Sequence, residues 1–221
     1  MHFHARDFWI GGLKIMLAAA MAFGTLTACV SRPTGPKTDE DIVWDRDFDV
    51  KYRHLDKDAK SLYDDDPHML DRAQANILFR SAGRYFENGD YLTATALYDR
   101  VGQAYFDWNG RNRWPQDQQY AATSYYYGWS FDALCGQDPE YCGAFIRLNT
   151  GEQNVQAAAD ARVLTSYLAA LDAPLSADLT RHAIKSCVEM QKRLTVSIKT
   201  QPRLSPAAQA EYQRFLKAKC E

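Results

Sequence analysis

Hydrophobic and polar positions divide the chain into three regimes. Residues 15–23, Ile15 to Phe23, form one uninterrupted apolar run. Residues 30–68 carry only isolated aromatics (Trp44, Phe48, Tyr52) among Pro33, Gly35, Pro36 and a dense scatter of aspartates. From Asp66 onward, apolar residues recur every three or four positions, the spacing of a helix face. Asp66-Pro67 predicts a helix start, a carboxylate cap followed by proline in the first turn. Leu70, Ala73, Ile77, Leu78, Ala82, Tyr85 and Phe86 supply its stripe. Asn88-Gly89-Asp90 breaks it, and Tyr91, Ala94, Leu97, Tyr98 and Val101 begin a second face. A third helix starts near Pro115 and a fourth spans Val155 to Leu171. A fifth is capped by Ser176, and Ser205-Pro206 opens the last. Alternating strand patterns are absent. The expected fold class is all-α.

Residues 30–68 cannot bury enough apolar surface to fold alone, which predicts a disordered acidic tether with a transient helix near 55–63. Asp45-x-Asp47-x-Asp49 superficially resembles a calcium loop, but Val50 stands where the sharp-turn glycine belongs, so the stretch reads as solvated acid.

The run Leu78-x₃-Ala82-x₂-Tyr85-x₃-Gly89-Asp90-Tyr91-x₂-Ala94-x₃-Tyr98-x₂-Val101 resembles a tetratricopeptide repeat. In that motif, small residues (Ala82, Ala94) stand where two helices cross at about 8–10 Å. Aromatics (Tyr85, Tyr98) fill the holes beside them, and Gly89 permits the left-handed turn. The proline that usually follows the second helix is missing. The resemblance covers about 30 residues, and one repeat cannot bury its own face. It implies a short tetratricopeptide-like α-solenoid of about three helical hairpins over residues 66–221; the alternative is a plain helical bundle.

Composition adds limits. At 221 residues, 46% hydrophobic and 24% charged, the chain has an ordinary globular balance. A net charge of −2 argues against a nucleic-acid partner. The acid is local: residues 30–69 hold seven basic and eleven acidic residues. At the N-terminus, Arg6 and Lys14 precede an apolar run too short for a bilayer span of about 20 residues, which reads as a secretory signal. Leu26-Thr27-Ala28-Cys29 resembles the bacterial lipobox, in which the cysteine thiol is acylated and the chain is cut before it. That resemblance implies a signal peptide over 1–28, a lipidated acidic linker over 29–65, and palmitate-type anchoring through Cys29. Val30 stands where an aspartate would hold a lipoprotein at the inner membrane, so the resemblance favours the periplasmic face of the outer membrane.

Four further cysteines, Cys135, Cys142, Cys187 and Cys220, suit two bridges in an oxidising compartment. Of three possible pairings, Cys135 with Cys142 across a Gly/Pro-containing loop and Cys187 with Cys220 are favoured; buried free thiols are the alternative. No C-x₂-C pair exists for zinc, and no metal is expected.

No catalytic or cofactor motif is present. His54, His68 and His182 are dispersed, and Glu87 and Glu189 lack partners for acid/base work, so neither an enzyme nor a cofactor is expected. The most unusual run is Tyr105 to Pro115. Its Phe106, Trp108, Arg111, Arg113 and Trp114 combine the residue types that dominate binding hot spots. They form the candidate recognition edge, with loop packing and ion pairing as the alternative reading. Tyr125-Tyr126-Tyr127 with Trp129 and Phe131 covers nearly every side of a helix, which points to core. Together these features suggest a non-enzymatic envelope lipoprotein. It would act as a tethered protein–protein interaction adaptor, an accessory subunit in barrel assembly, secretin piloting or peptidoglycan-synthase activation. Its contacts would be the membrane, an envelope complex and peptidoglycan. A glycan- or ligand-binding lipoprotein is the second reading and a cell-wall hydrolase the third.

Overall fold

The computed structural model describes residues 36–115, 117–199 and 204–221, which are helical with no β-strand. The lipobox-like run and Cys29 lie outside them. Among the described residues, no helix is long and apolar enough to cross a membrane.

The central array begins with α3 (Arg72–Glu87) and α4 (Tyr91–Ala104), turned by Gly89 at φ +77°. Ala82 and Ala94 are fully buried and Tyr98 nearly so, which is what a close helix crossing requires. Tyr85 differs from expectation: it is half-buried and accepts a hydrogen bond from the Asp56 N–H at 2.8 Å. The start of α3 also shifts. Pro67–Met69 make one 3₁₀ turn, and the helix opens at Asp71, whose carboxylate and Gln74 form a capping box.

Helix α5 (Gln118–Gln137) packs on α4, and then, past an excursion, on α7 (Val155–Leu171), which packs on α8 (Ala177–Ser197). Gly128 is required where α5 meets α7: a Cβ there would stand 3.0 Å from Ser166 Cβ and 3.1 Å from the Tyr167 ring. Asp160 of α7, with no exposed surface, accepts from Arg193 of α8 at 2.6 Å and from Ser197. Helix α9 (Pro206–Lys217) closes the end, held to α8 by the Cys187–Cys220 disulfide, Cα–Cα 5.8 Å. One apolar core runs through α3, α4, α5, α7, α8 and α9.

The excursion is α6 (Pro139–Thr150), started by Asp138 and Pro139. The cysteine loop is shorter than expected: Cys135 lies in the last turn of α5 and Cys142 in the first turn of α6, joined by a disulfide with Cα–Cα 5.0 Å.

The expected disordered tether over residues 29–65 is corrected over its described part. Residues 39–63 form α1 (Asp39–Asp49), a π-helical turn (Val50–His54) and α2 (Lys57–Tyr63). The segment folds because it borrows the body. Thr38 and Asp41 make a capping box, while Ile42 packs with Leu134, Tyr141 and Ala144 in a small second core. Arg147 of α6 donates twice to Asp39, at 2.8 and 2.6 Å, and Arg46 donates to Asp138 at 2.8 Å. Ala59 and Leu62 join the main core. Acidic residues read as solvated thus find cations far along the chain.

Candidate protein-recognition surface

The loop between α4 and α5 folds back on itself through a bridge between Phe106 and Asn112, with Gly110 at φ +71°. That turn sorts its aromatics. Phe106 is buried against Tyr120, and Trp114 stands edge-on to the buried Tyr105 at 5.2 Å. Arg113 lies over Trp114 and donates to the Ala104 carbonyl at 3.0 Å. These three expected edge residues therefore hold the loop together. Arg111 is exposed and paired within the loop to Asp107 at 2.9 Å. The N–H of Arg111, and then that of Asn109, keep the Asp107 carboxyl below its usual range. Trp108 alone projects an apolar surface, 63% exposed, against the His68 ring at 4.6 Å. His68 Nδ1 meets the Phe106 carbonyl at 2.8 Å, and neighbouring Met69 is 71% exposed.

The tyrosine cluster of α5 resolves mostly as core. Tyr125, Tyr127 and Phe131 are buried, and Tyr126 stacks on Tyr98 at 5.8 Å. Trp129 stays at the rim against Phe86 at 4.8 Å.

Four residues past Met69, a shallow, open groove in two parts begins along α3. Ala73, Asn76, Ile77 and Arg80 line its first part, about 300 Å³. Asn76 continues into a second part of about 360 Å³, walled by Phe79 of α3, Gln118, Gln119 and Ala122 of α5, and Leu175, Ser176 and Leu179 at the start of α8. Sequence reasoning missed this surface. Its amides read as ordinary solvated helix positions; the one available signal is Phe79, an aromatic off the apolar stripe of α3. The Gln119 Nε2 is buried with no hydrogen-bond partner among the described residues, and such an orphan donor costs about 1–3 kcal/mol. Amide side chains between apolar walls match a peptide main chain: the amides meet its N–H and C=O groups while the walls take its side chains.

The strongest electrostatics lie elsewhere, between α1, α4, α6 and α7. Arg162 donates to Tyr127 Oη at 2.5 Å, approaches Asp99 at 4.0 Å and lies over the Phe131 and Phe145 rings. Desolvation by its neighbours pushes the Asp47 carboxyl up to about 6, although the residue keeps exposed surface; the charge of Asp99 adds to the shift and a hydrogen bond with Tyr141 opposes it. Burial raises Asp99 as well, against the pull of Arg162. The Asp45-Asp47-Asp49 run is helical, with Asp45 held by Lys37 at 2.7 Å. Among the described residues no group of three potential ligands gathers around a metal position.

No family model, curated protein or solved structure matches the chain. Its class therefore follows from its own residues: an all-α, doubly disulfide-bonded array of helical hairpins with a groove along one helix.

Proposed function

We propose that this protein is a non-enzymatic envelope lipoprotein that docks a peptide segment of a client protein in the groove along α3. In this reading Cys29 carries the acyl chains and the chain sits at the periplasmic face of the outer membrane, where the anchor raises its effective concentration near membrane-bound clients. The tetratricopeptide resemblance of residues 78–101 supports it, because such repeats usually hold a peptide segment in a groove. Two disulfides suit the oxidising compartment that the signal-like N-terminus implies. The observation that carries the reading is the groove itself, amide-lined and apolar-walled, with a buried unsatisfied donor in Gln119.

Site-specific photocrosslinking in intact cells tests this. A crosslinker at Asn76 or Leu179 is expected to capture the same client, and one at Glu189, exposed ten residues further along α8, to capture none. Asn76→Arg should abolish capture from Leu179 with helicity unchanged. Equal capture from all three positions, or from none, overturns the groove assignment.

A further inference from the structure

Helix α1 has two unlike faces. Its inner face is committed: Ile42 lies in the small core on α6, Val50 is fully buried, and the Arg147–Asp39 and Arg46–Asp138 pairs fix the helix to the body. Its outer face carries Trp44, 64% exposed, one turn before Phe48, 37% exposed, with ring centroids 5.3 Å apart. A docked helix that turns an indole and a phenyl outward presents an amphipathic, interfacial surface. Tryptophan in particular favours the headgroup level of a bilayer, where its ring is buried and its N–H stays hydrogen-bonded.

Two further observations select the occupant. Asp39 lies ten residues after Cys29, within roughly 33–36 Å of it even fully extended, so α1 is the first described helix after the anchor position. Charge then chooses the lipid. Between Asp39 and Asp49, α1 holds six acidic residues and one arginine, which disfavours anionic headgroups and leaves a zwitterionic surface.

Resting on the lipoprotein reading above, we propose that Trp44 and Phe48 form a membrane-contact face that lays α1 against zwitterionic phospholipid and so sets how the body is turned on the bilayer. The two rings are too small a surface to hold an untethered protein. Behind a lipid anchor they act within the same molecule, and their contribution becomes orientation rather than recruitment.

The test uses the mature acylated chain in phosphatidylcholine vesicles whose acyl chains are brominated, which quench nearby tryptophan. Four tryptophans remain after Cys29: Trp44, Trp108, Trp114 and Trp129. Wild type is expected to lose the emission of one of them, Trp44→Phe to lose none, and replacing half the lipid by phosphatidylglycerol to weaken the wild-type quench. Equal quenching in wild type and Trp44→Phe, or none in either, overturns the proposal. Palmitate labelling of Cys29 reports separately on the anchor. Should labelling fail, the chain from residue 29 with a leading polyhistidine tag, held on nickel-chelating vesicles, gives the same readout. Quenching that depends on Trp44 there sustains the contact face without acylation, and its absence overturns it.

Discussion

The segment 39–63 and the array 72–197 are both helical, yet they are held by different forces. The array shares one continuous core in which Leu78, Leu97, Ile146, Leu164 and Leu194 have no exposed surface. Helix α1 instead rests on a separate patch of four buried residues, framed by ion pairs whose partners keep about a quarter to a third of their side-chain surface in water. Such pairs contribute only about 0–1 kcal/mol each and weaken with salt. Apolar burial thus dominates the hold on the array, while α1 depends more on exposed ion pairs that respond to salt. A helix can be well formed and still be the first to leave.

The largest expected effect lies in the array. Leu164→Ala removes a fully buried side chain between α7 and its neighbours and should cost about 2–5 kcal/mol, read as a lower urea midpoint for the whole chain. A loss confined to α7 would contradict a single shared core. Arg147→Gln comes next. It removes both donors to Asp39, and hydrogen exchange across residues 39–49 should accelerate while global stability falls by no more than about 1 kcal/mol. The same acceleration should appear in wild type at high salt. If exchange in α1 is unchanged, the ion pairs do not hold the segment.

The smallest effect concerns pH. Asp47 has its carboxyl raised from 3.8 to about 6 in the folded protein. Between those values the folded state binds the extra proton, so this contribution is present below about pH 4 and is lost as pH rises through about 6. Asp99 shifts the same way. The attachment of α1 should therefore be tighter at pH 5 than at pH 7.5, by an amount reduced by solvent screening because Asp47 remains partly exposed. Asp47→Asn should flatten that dependence, measured by hydrogen exchange in α1 at the two pH values. An unchanged slope would assign the effect to Asp99.

The same division explains what could be read in advance. The array was legible because its elements announce themselves locally: Ser176 and Ser205 are caps, Gly89 is the left-handed turn, and the stripes of α4, α7 and α8 repeat at helical spacing. The pairing of Cys135 with Cys142 and of Cys187 with Cys220 followed from spacing and compartment. Helix α1 was not legible because its apolar partners Leu134, Tyr141 and Ala144 and its ionic partners Asp138 and Arg147 lie about 90 to 108 residues away. Nothing local distinguishes a carboxylate awaiting arginine from one awaiting water. The α4–α5 loop was half legible. Its composition marked it as unusual, but only the Phe106–Asn112 bridge decides that Phe106 and Trp114 point inward while Trp108 points out. The groove was least legible, since it is made where three helices from distant stretches meet.

The Cys135–Cys142 clip has a consequence for how α1 is seated. It fastens α6, the bracket that carries α1, to the end of α5, while α2 rests on the main core through Ala59 and Leu62. Ile146 gives α6 its own hold on the main core, so opening the clip should loosen the first turn of α6 and the α1 seat on it without unfolding the array.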